Sequence, residues 1–328
     1  MKNFSRVFTV LFLISLCGCS KSGQTSETRF LLDTVVTISA DCSQELINQA
    51  FEKISDYEKL FSVTVKNSDV SKLNSAKNSE FTEVSKETYE LIGSCVHYSE
   101  LTGGKFDITV RPLTKIWDFK LKTVPSTDEI SEALRRVGYE SIEESDGKIN
   151  LNGASIDLGA AAKGYIADKT AQYLKNSGVK NAVLNLGGNI VCIGKKIRIA
   201  IKKPFSESEY SGYINIKDKS VVTSGIYERY FESSGEIYHH IIDPKTGYPA
   251  NTDVSSATVI SSSSLDADIL STCIVLSGSE DGLKLIENTS GAQAIIIKRN
   301  GEILYSSGLK KTNNDFYLKY KEQFYGTS

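Results

Sequence analysis

The feature that most constrains the fold is the order in which strand-like and helix-like segments follow one another. Short β-branched runs at residues 182–186 and 255–260 predict strands, while apolar residues at helical spacing over residues 43–61 and 85–101 predict amphipathic helices. The two kinds of segment are mixed without strict alternation, which favours an α+β architecture over a doubly wound parallel sheet. We therefore expect a single α+β domain of mixed, mainly antiparallel sheets with packed helices.

Local signals refine this outline. Residues 30–39 are apolar and β-branched and predict one strand with Asp33 and Thr34 in its middle. Ser126 and Glu129 form a capping box that predicts a helix ending at Gly138. Asn152-Gly153 predicts a tight turn that joins residues 149–151 to residues 155–158 as a hairpin.

The N-terminus has the layout of an export signal. Lys2 and Arg6 precede an apolar run over residues 7–16, which is too short to remain as a membrane-spanning helix. The sequence Leu-Cys-Gly-Cys that ends at Cys19 resembles a bacterial lipobox. We expect a lipoprotein signal peptide at residues 1–18, lipidation of Cys19, a lipid-anchored tether at residues 19–28 and a folded domain over residues 29–328, on the outer side of the cytoplasmic membrane.

Composition excludes some classes of function. A net charge of −2 in 328 residues gives no electrostatic footprint for nucleic acid or for an anionic membrane surface. Six cysteines become four after removal of Cys17 and lipidation of Cys19, and the four are scattered without the spacing of a metal cluster. We expect buried free thiols; the sequence leaves open whether any pair forms a disulfide.

Candidate reactive groups concentrate between residues 223 and 272. Two of the three histidines and two of the five prolines fall there, together with Asp268 and Thr272, which are four residues apart on a predicted helix and so share a face. A carboxylate with a hydroxyl suits Mg²⁺ better than zinc. The spacing alone favours a solvated aspartate and a threonine that bonds to its own helix.

His240 lies at the end of an apolar strand, near Asp243, and is a candidate general base, although such a histidine is more often structural. The glycine-rich segments at residues 159–164 and 187–188 could approach phosphates, but neither matches a P-loop or a dinucleotide-binding fingerprint. Common nucleotide-binding folds are therefore disfavoured.

Taken together, these segments resemble the ApbE family, the FAD:protein FMN transferases. The resemblance extends over most of the mature chain. It rests on seven ordered motifs, which are residues 32–34, 103–112, 157–165, 185–189, 223–231, 240–249 and 268–272.

The resemblance implies a Mg²⁺-dependent enzyme with an ApbE-like domain that binds FAD, transfers FMN to a threonine hydroxyl of an exported or membrane protein, and releases AMP. His240 would deprotonate the threonine. The metal ligands would be Ala160 through its main-chain oxygen, Asp268, Ser271 and Thr272. The positions that match FAD-binding residues are Leu32, Thr64, Lys105, Phe106, Asp107, Asp157, Lys163 and Ile242.

The sequence departs from the family pattern where Thr64 replaces a tyrosine that stacks on the flavin ring. Weaker flavin retention is expected, and FAD hydrolysis to FMN and AMP becomes an alternative to transfer. An alternative of another class is a lipid-anchored flavin-binding protein without turnover; the joint presence of Asp268, Thr272 and His240 argues against it. Gln293 stands where an acceptor site would have serine or threonine, so the acceptor is expected to be another protein. The identity of that acceptor, the oligomeric state and the choice between Mg²⁺ and Mn²⁺ remain open.

Overall fold

The computed structural model describes residues 24–310 and the backbone of residues 316–318. In chain order the described strands are β1 (Thr25–Leu31), β2 (Thr34–Ala40), β3 (Thr82–Glu83), β4 (Glu143–Ser145), β5 (Lys148–Asn150), β6 (Ala182–Leu186), β7 (Asn189–Ile193), β8 (Ile197–Lys202), β9 (Tyr210–Ile216), β10 (Ser220–Gly225), β11 (Tyr230–Ser233), β12 (Glu236–His239), β13 (Val254–Ser261), β14 (Gln293–Lys298), β15 (Ile303–Tyr305) and β16 (Phe316–Leu318).

The α-helices are α1 (Gln44–Phe61), α2 (Asp69–Leu73), α3 (Lys86–Leu101), α4 (Arg111–Ile116), α5 (Thr127–Leu134), α6 (Ala162–Asn176), α7 (Ser264–Ser277), α8 (Ser279–Glu287) and α9 (Ser307–Lys310). Among the described residues, no helix is both long and apolar enough to cross a bilayer. The predicted signal peptide and the lipidation site Cys19 lie outside the described residues.

The main sheet has eight strands in the order β1-β2-β6-β7-β10-β13-β14-β15, and neighbouring strands are antiparallel throughout. Three small sheets accompany it, with orders β11-β12, β16-β9-β8 and β3-β5-β4. The expected α+β class with mainly antiparallel sheets is confirmed.

The two faces of the main sheet are covered differently. Ala257 and Val259 on β13 belong to the core under α1, α6 and α7, whereas Ile260 belongs to a second core under β8 and β9. Successive strand residues point to opposite faces, so the alternation places the helices on one side and the small sheet on the other. Helix α7 is buried on nearly all sides, because it packs between the main sheet and α6.

The predicted helix starts are confirmed at Ser43, Ser85 and Ser126, each of which caps the helix that follows. Ser126 and Glu129 form the predicted capping box, but α5 ends at Leu134 rather than at Gly138. The chain leaves the helix early because Gly138 N–H donates to Thr109 Oγ1 at 2.8 Å instead of continuing the helical pattern.

The N-terminal strand prediction was wrong in detail. Residues 30–39 form parts of two strands, because Leu32 and Asp33 adopt φ of 56° and 54° and make a two-residue turn between β1 and β2. Glu58 Oε1 on α1 accepts the Leu32 N–H at 2.9 Å and fixes this turn. Strand β1 begins at Thr25, so the ordered domain starts inside the segment predicted as a tether.

The hairpin prediction at Asn152-Gly153 was also wrong. Strand β5 pairs instead with β4 across Asp146 and Gly147, and residues 155–158 are not in a strand. Asn74 explains this, because its side chain accepts the Ile156 N–H at 2.7 Å and donates to the Ile156 carbonyl at 2.9 Å. An amide side chain thus takes the place of a partner strand.

All four cysteines in the described part of the chain are free thiols, and Cys95, Cys192 and Cys273 are buried, which agrees with the expectation from their spacing.

Candidate active site

The candidate site lies at one end of the main sheet, where several connections meet. The antiparallel register brings the turn at Leu32–Asp33, the turn at Gly187–Gly188 and the end of β10 to the same edge. The first two turns are in contact: a Cβ atom on Gly187 would lie 2.4 Å from Thr34 Oγ1, and φ of Gly187 is +61°. A residue without a side chain is required there.

The first turn of α6 packs directly against α7 above this edge. A Cβ atom on Gly164 would lie 2.4 Å from the Ser264 carbonyl oxygen and 2.8 Å from Asp268 Cβ, so the two helices approach too closely for any side chain at Gly164. The same approach lets the Gly164 N–H donate to Asp268 Oδ2 at 2.9 Å. One glycine therefore sets both the helix packing and the orientation of the carboxylate.

Asp268 is a buried carboxylate, with only 3% of its surface exposed. Burial raises its pKa, and the positive charge of Lys163, the Gly164 N–H and the side chain of Asn189 act in the opposite direction. Lys163 Nζ lies 4.0 Å from Asp268 Oδ1, which is an ion pair rather than a hydrogen bond. The carboxylate thus faces a partly exposed cation.

Hydroxyl groups surround the next turn of α7. Ser224 Oγ on β10 lies 2.7 Å from Ser271 Oγ and 3.2 Å from Thr272 Oγ1, and both of these hydroxyls also donate to the Asp268 carbonyl. Ala160 lies in the turn that leads into α6, close along the chain to Lys163. The structure thus brings Asp268, Ser271 and Thr272 together.

This donor set suits a hard cation. It offers one buried carboxylate and several hydroxyl oxygens, and in the described residues no group of three or more histidine, cysteine or acidic side chains is arranged to hold a metal. Mg²⁺ is commonly held by one or two carboxylates while substrate phosphates and water complete its coordination. The residues present therefore fit Mg²⁺ better than zinc.

The two adjacent histidines have different surroundings. His239 is 1% exposed, and its Nε2 donates to the Ala250 carbonyl at 3.0 Å. His240 is half-buried, and its Nδ1 lies 3.3 Å from the Arg229 carbonyl oxygen. Because a carbonyl only accepts hydrogen bonds, the proton of neutral His240 is on Nδ1, which leaves Nε2 as a proton acceptor. His240 is therefore the more exposed of the two histidines.

The pKa of His240 is lowered to about 4, first by burial and then by the positive charge of Arg229. His240 therefore remains neutral at pH 7 and able to take a proton.

Glu228 and Arg229 are exposed residues between β10 and β11 that were assigned no role from the sequence. Desolvation by the surrounding protein raises the pKa of Glu228. The positive charges of Lys163, Lys202 and Arg229 partly offset this rise. Lys163 acts electrostatically on Asp268, Glu228 and His240. Lys163 is therefore close enough to act electrostatically on both Asp268 of α7 and His240.

Apart from Lys163, the predicted FAD-binding positions have three kinds of surroundings. Leu32 and Thr64 lie at the C-terminal end of α1, where Phe61 packs edge-on against Tyr165 of α6 at 5.5 Å between ring centroids. This end of α1 therefore adjoins the first turn of α6. Thr64 is exposed, and its hydroxyl lies 3.0 Å from Ser62 Oγ.

The second group serves the fold through its side chains. Phe106 is buried in the main core, and Asp107 accepts from Thr109 through Oδ1 and from the Tyr139 N–H through Oδ2 at 2.9 Å. Asp157 accepts from Thr114 Oγ1 at 3.1 Å and from the Gly159 N–H at 3.0 Å.

Two other predicted positions differ from these. Ile242 is buried in the cluster around Trp117, and Lys105 is half-buried beside the turn at Gly103–Gly104. Of the predicted positions, Phe106 has its side chain in the core, while Asp107 and Asp157 accept hydrogen bonds that hold the loops near Lys163.

Fold and site together define a class: an antiparallel α+β protein in which a buried carboxylate, a lysine and a neutral imidazole lie toward one end of the main sheet, groups of the kind that stabilise charge on phosphates. A family model described as the ApbE family matches residues 32–296. The chain belongs to the ApbE family.

Individual relatives agree with this. An FAD:protein FMN transferase of Klebsiella pneumoniae is 37% identical over 271 residues, covering 80% of this chain and 85% of that protein. One from Treponema pallidum is 29% identical over 331 residues, covering 90% and 91%. The crystal structure of the ApbE protein of Thermotoga maritima superposes with a TM-score of 0.80 at 35% identity, covering 88% of this chain and 98% of that one.

Proposed function

We propose that this protein is an FAD:protein FMN transferase, which moves FMN from FAD to a threonine hydroxyl of another protein and releases AMP. The observation that carries the proposal is the joint placement of Asp268, Lys163 and His240 in a member of this family. The relatives from Klebsiella pneumoniae and Treponema pallidum are FAD:protein FMN transferases, which supports it.

The residues divide the work between phosphate and hydroxyl. Lys163 supplies positive charge beside the pyrophosphate, and the first turn of α6 offers a helix N-terminus, which favours phosphate. Asp268 with Ser271, Thr272 and the Ala160 carbonyl would hold Mg²⁺, which when bound neutralises charge on the phosphates. Burial of Asp268 and its bond from Gly164 hold the carboxylate in one orientation.

His240 acts on the hydroxyl of the acceptor protein. Its unprotonated Nε2 takes the proton of the attacking hydroxyl, whose oxygen forms a bond to the phosphorus of the FMN moiety. The bond from that phosphorus to the AMP oxygen breaks, and AMP departs. Arg229 fixes the imidazole through its carbonyl, because that bond selects the Nδ1–H tautomer.

The test is an accounting of products. The domain from Thr25 onward is incubated with FAD and Mg²⁺, with and without an acceptor protein that carries a fused peptide containing an Asp-x-x-x-Gly-Ala-Ser/Thr-x-Thr site. AMP that matches FMN bound to the acceptor supports transfer. AMP that matches free FMN, with or without acceptor, indicates FAD hydrolysis. That alternative is suggested by the exposed Thr64, which stands in place of the flavin-stacking tyrosine. Bound FAD without any AMP would leave the non-catalytic flavin-binding alternative.

We also propose that the protein is lipid-anchored through Cys19 on the outer face of the cytoplasmic membrane, where it meets exported or membrane-bound acceptors. The lipobox-like sequence at residues 16–19 supports this. A Cys19→Ser variant should lose incorporated fatty acid and move to the soluble fraction. A variant that remains membrane-bound and labelled would contradict the anchor.

A further inference from the structure

The strands at one edge of the main sheet have a face without charge. Successive side chains of a strand point to opposite sides of the sheet, and in β1 the charged residue Arg29 points toward α1, where it donates to Asn48 Oδ1 at 2.6 Å. The opposite face of β1, β2 and β6, called here the outer face, is formed by Ser26, Thr28, Phe30, Val35, Thr37, Ser39, Val183 and Asn185. All three strands are described in full, and none of these side chains is charged.

On the outer face the hydroxyl groups of β1 and β2 bond to one another, and the apolar side chains are exposed. The hydroxyl pairs are Ser26–Ser39, with the two Oγ atoms 2.6 Å apart, and Thr28–Thr37, with the two Oγ1 atoms 2.9 Å apart. The next pair along the same strands is Phe30 and Val35, which stand directly opposite each other and are 72% and 54% exposed. An exposed apolar pair on an uncharged face is the composition of a surface that contacts lipid or protein.

The way in which the chain enters the domain selects the lipid bilayer as the occupant of this face. Strand β1 is the edge strand of the main sheet and begins at Thr25. Cys19 is six residues earlier, and a chain spans at most about 3.5 Å per residue, so a lipid on Cys19 holds the start of β1 within roughly 20 Å of the membrane surface. On the other side of β1, helix α1 exposes the carboxylates of Glu45, Glu52 and Asp56. Of the two sides next to the tether, only the outer face can therefore lie against lipid without desolvating ionised groups.

We propose that the outer face rests on the lipid bilayer, with Phe30 and Val35 inserted among the lipid headgroups. The proposal rests on the lipid anchor at Cys19 proposed above. Because the anchor already holds the domain at the membrane, the apolar pair has only to orient it, and electrostatic attraction, which a net charge of −2 does not provide, is not needed. The turn at Leu32–Asp33 follows Phe30 directly and lies at the edge that carries the candidate site. This orientation therefore brings that edge close to membrane-bound acceptors.

The test uses the full chain, lipidated in a bacterial host and reconstituted in phosphatidylcholine vesicles that contain a nitroxide-labelled lipid as quencher. Phe30→Trp places a fluorescent reporter on the proposed contact, and Phe81→Trp places the same reporter at another exposed phenylalanine, beside β3, as the matched control. The signal of buried Trp117, the only tryptophan of the chain, is measured in the parent protein and subtracted. Phe30→Trp should lose most of its reporter fluorescence to the quencher and shift its emission to shorter wavelength, and Phe81→Trp should show neither change.

Cys19→Ser, combined with Phe30→Trp, should abolish the quenching, and quenching that persists would contradict the role of the anchor. Equal quenching of the two reporters would overturn the proposal, because the domain would then have no preferred orientation. Absence of quenching of Phe30→Trp in vesicle-bound protein would also overturn it and assign the outer face to a protein partner. A chain that carries no lipid and stays in solution would overturn the anchor and the orientation together. FMN transfer by the domain from Thr25 onward is measured without vesicles, so failure of the proposed reaction is seen separately.

Discussion

The two sides of the site are built in opposite ways. On the α6–α7 side, Asp268 is buried, Gly164 leaves no space between the helices, and the hydroxyls of Ser271 and Thr272 are held by Ser224. On the β11–β12 side, His240 is half-buried and Arg229 is exposed. The first side is closed, and the second is partly exposed to solvent.

The difference follows from what each side has to bind. Charge stabilisation of phosphates depends on preorganised groups held in fixed positions, which a buried helix contact provides. Acceptance of a protein hydroxyl requires access from solvent, which a two-stranded hairpin at the surface allows. The comparison predicts that changes on the closed side abolish FAD cleavage itself, whereas changes on the open side affect the acceptor step.

The largest effect is expected for Asp268→Asn. Asparagine still accepts the Gly164 N–H, so the fold is kept, but the negative charge next to Lys163 is lost. AMP formation from FAD and Mg²⁺ should fall on the order of 10³-fold. Asp266→Asn, in the first turn of the same helix, is the control and should retain activity. Near-normal AMP formation by Asp268→Asn would remove Asp268 from the chemistry.

The next effect is expected for His240→Asn. Loss of the proton acceptor should reduce FMN transfer on the order of 10²-fold while FAD affinity is maintained. His97→Asn serves as the control, because His97 is an exposed histidine on α3. If His240→Asn lowered FAD affinity as much as transfer, the division between the closed and open sides would not hold.

Gly164→Ala tests the closed side through stability. The added methyl group would meet backbone atoms of α7 at 2.4 Å and 2.7 Å, so the helices must separate. The free energy of unfolding, measured with urea, should fall by about 1–3 kcal/mol. Gly93→Ala in α3, whose Cβ would have its nearest neighbour at 3.4 Å, should be neutral or stabilising. Equal behaviour of the two variants would show that the close approach does not matter.

A smaller effect is expected for Ser224→Ala. Its hydroxyl orients Ser271 and Thr272, so its loss should raise the Mg²⁺ concentration for half-maximal AMP formation about fivefold, equivalent to about 1 kcal/mol. Thr223→Val removes the neighbouring hydroxyl, which pairs with Thr258 instead, and should change nothing in this titration. A Mg²⁺ requirement identical in Ser224→Ala and wild type would exclude this positioning role.

The smallest change concerns pH. The pKa of both His239 and His240 is lowered to about 4 from an ordinary value of 6.5, so between these values the unfolded chain binds more protons than the native protein. The contribution of the histidines to stability is therefore complete above pH 6.5 and is lost as pH falls toward 4. His240 should also remain neutral, so transfer should persist below pH 6. An acid limb centred at pH 6.5 would contradict the lowered pKa.

Much of this was predictable from the sequence, for identifiable reasons. Serine caps and helical spacing located α1, α3 and α7, because these signals are local. The hairpin prediction at Asn152-Gly153 was wrong because the deciding hydrogen bond comes from Asn74, which is distant in the sequence. At the site, spacing brought Asp268 and Thr272 to one helix face, the carboxylate of nearby Asp243 made His240 a candidate base, and the family resemblance supplied Lys163.

Other site features required tertiary structure. The hydrogen bonds from Ser224 and the helix approach at Gly164 both depend on contacts between elements distant in sequence. Sequence also cannot show that the Phe106 side chain is used by the core or that Asp107 is used by its own loop.

The most direct test of the central claim is the intact mass of an acceptor protein after exhaustive reaction with FAD, Mg²⁺ and the wild-type enzyme. The account predicts a gain of one FMN in phosphoester linkage per acceptor, with one AMP released for each, and no gain when the acceptor threonine is replaced by alanine. AMP production with an acceptor of unchanged mass would contradict it, because the hydroxyl that His240 is positioned to activate would then be that of water.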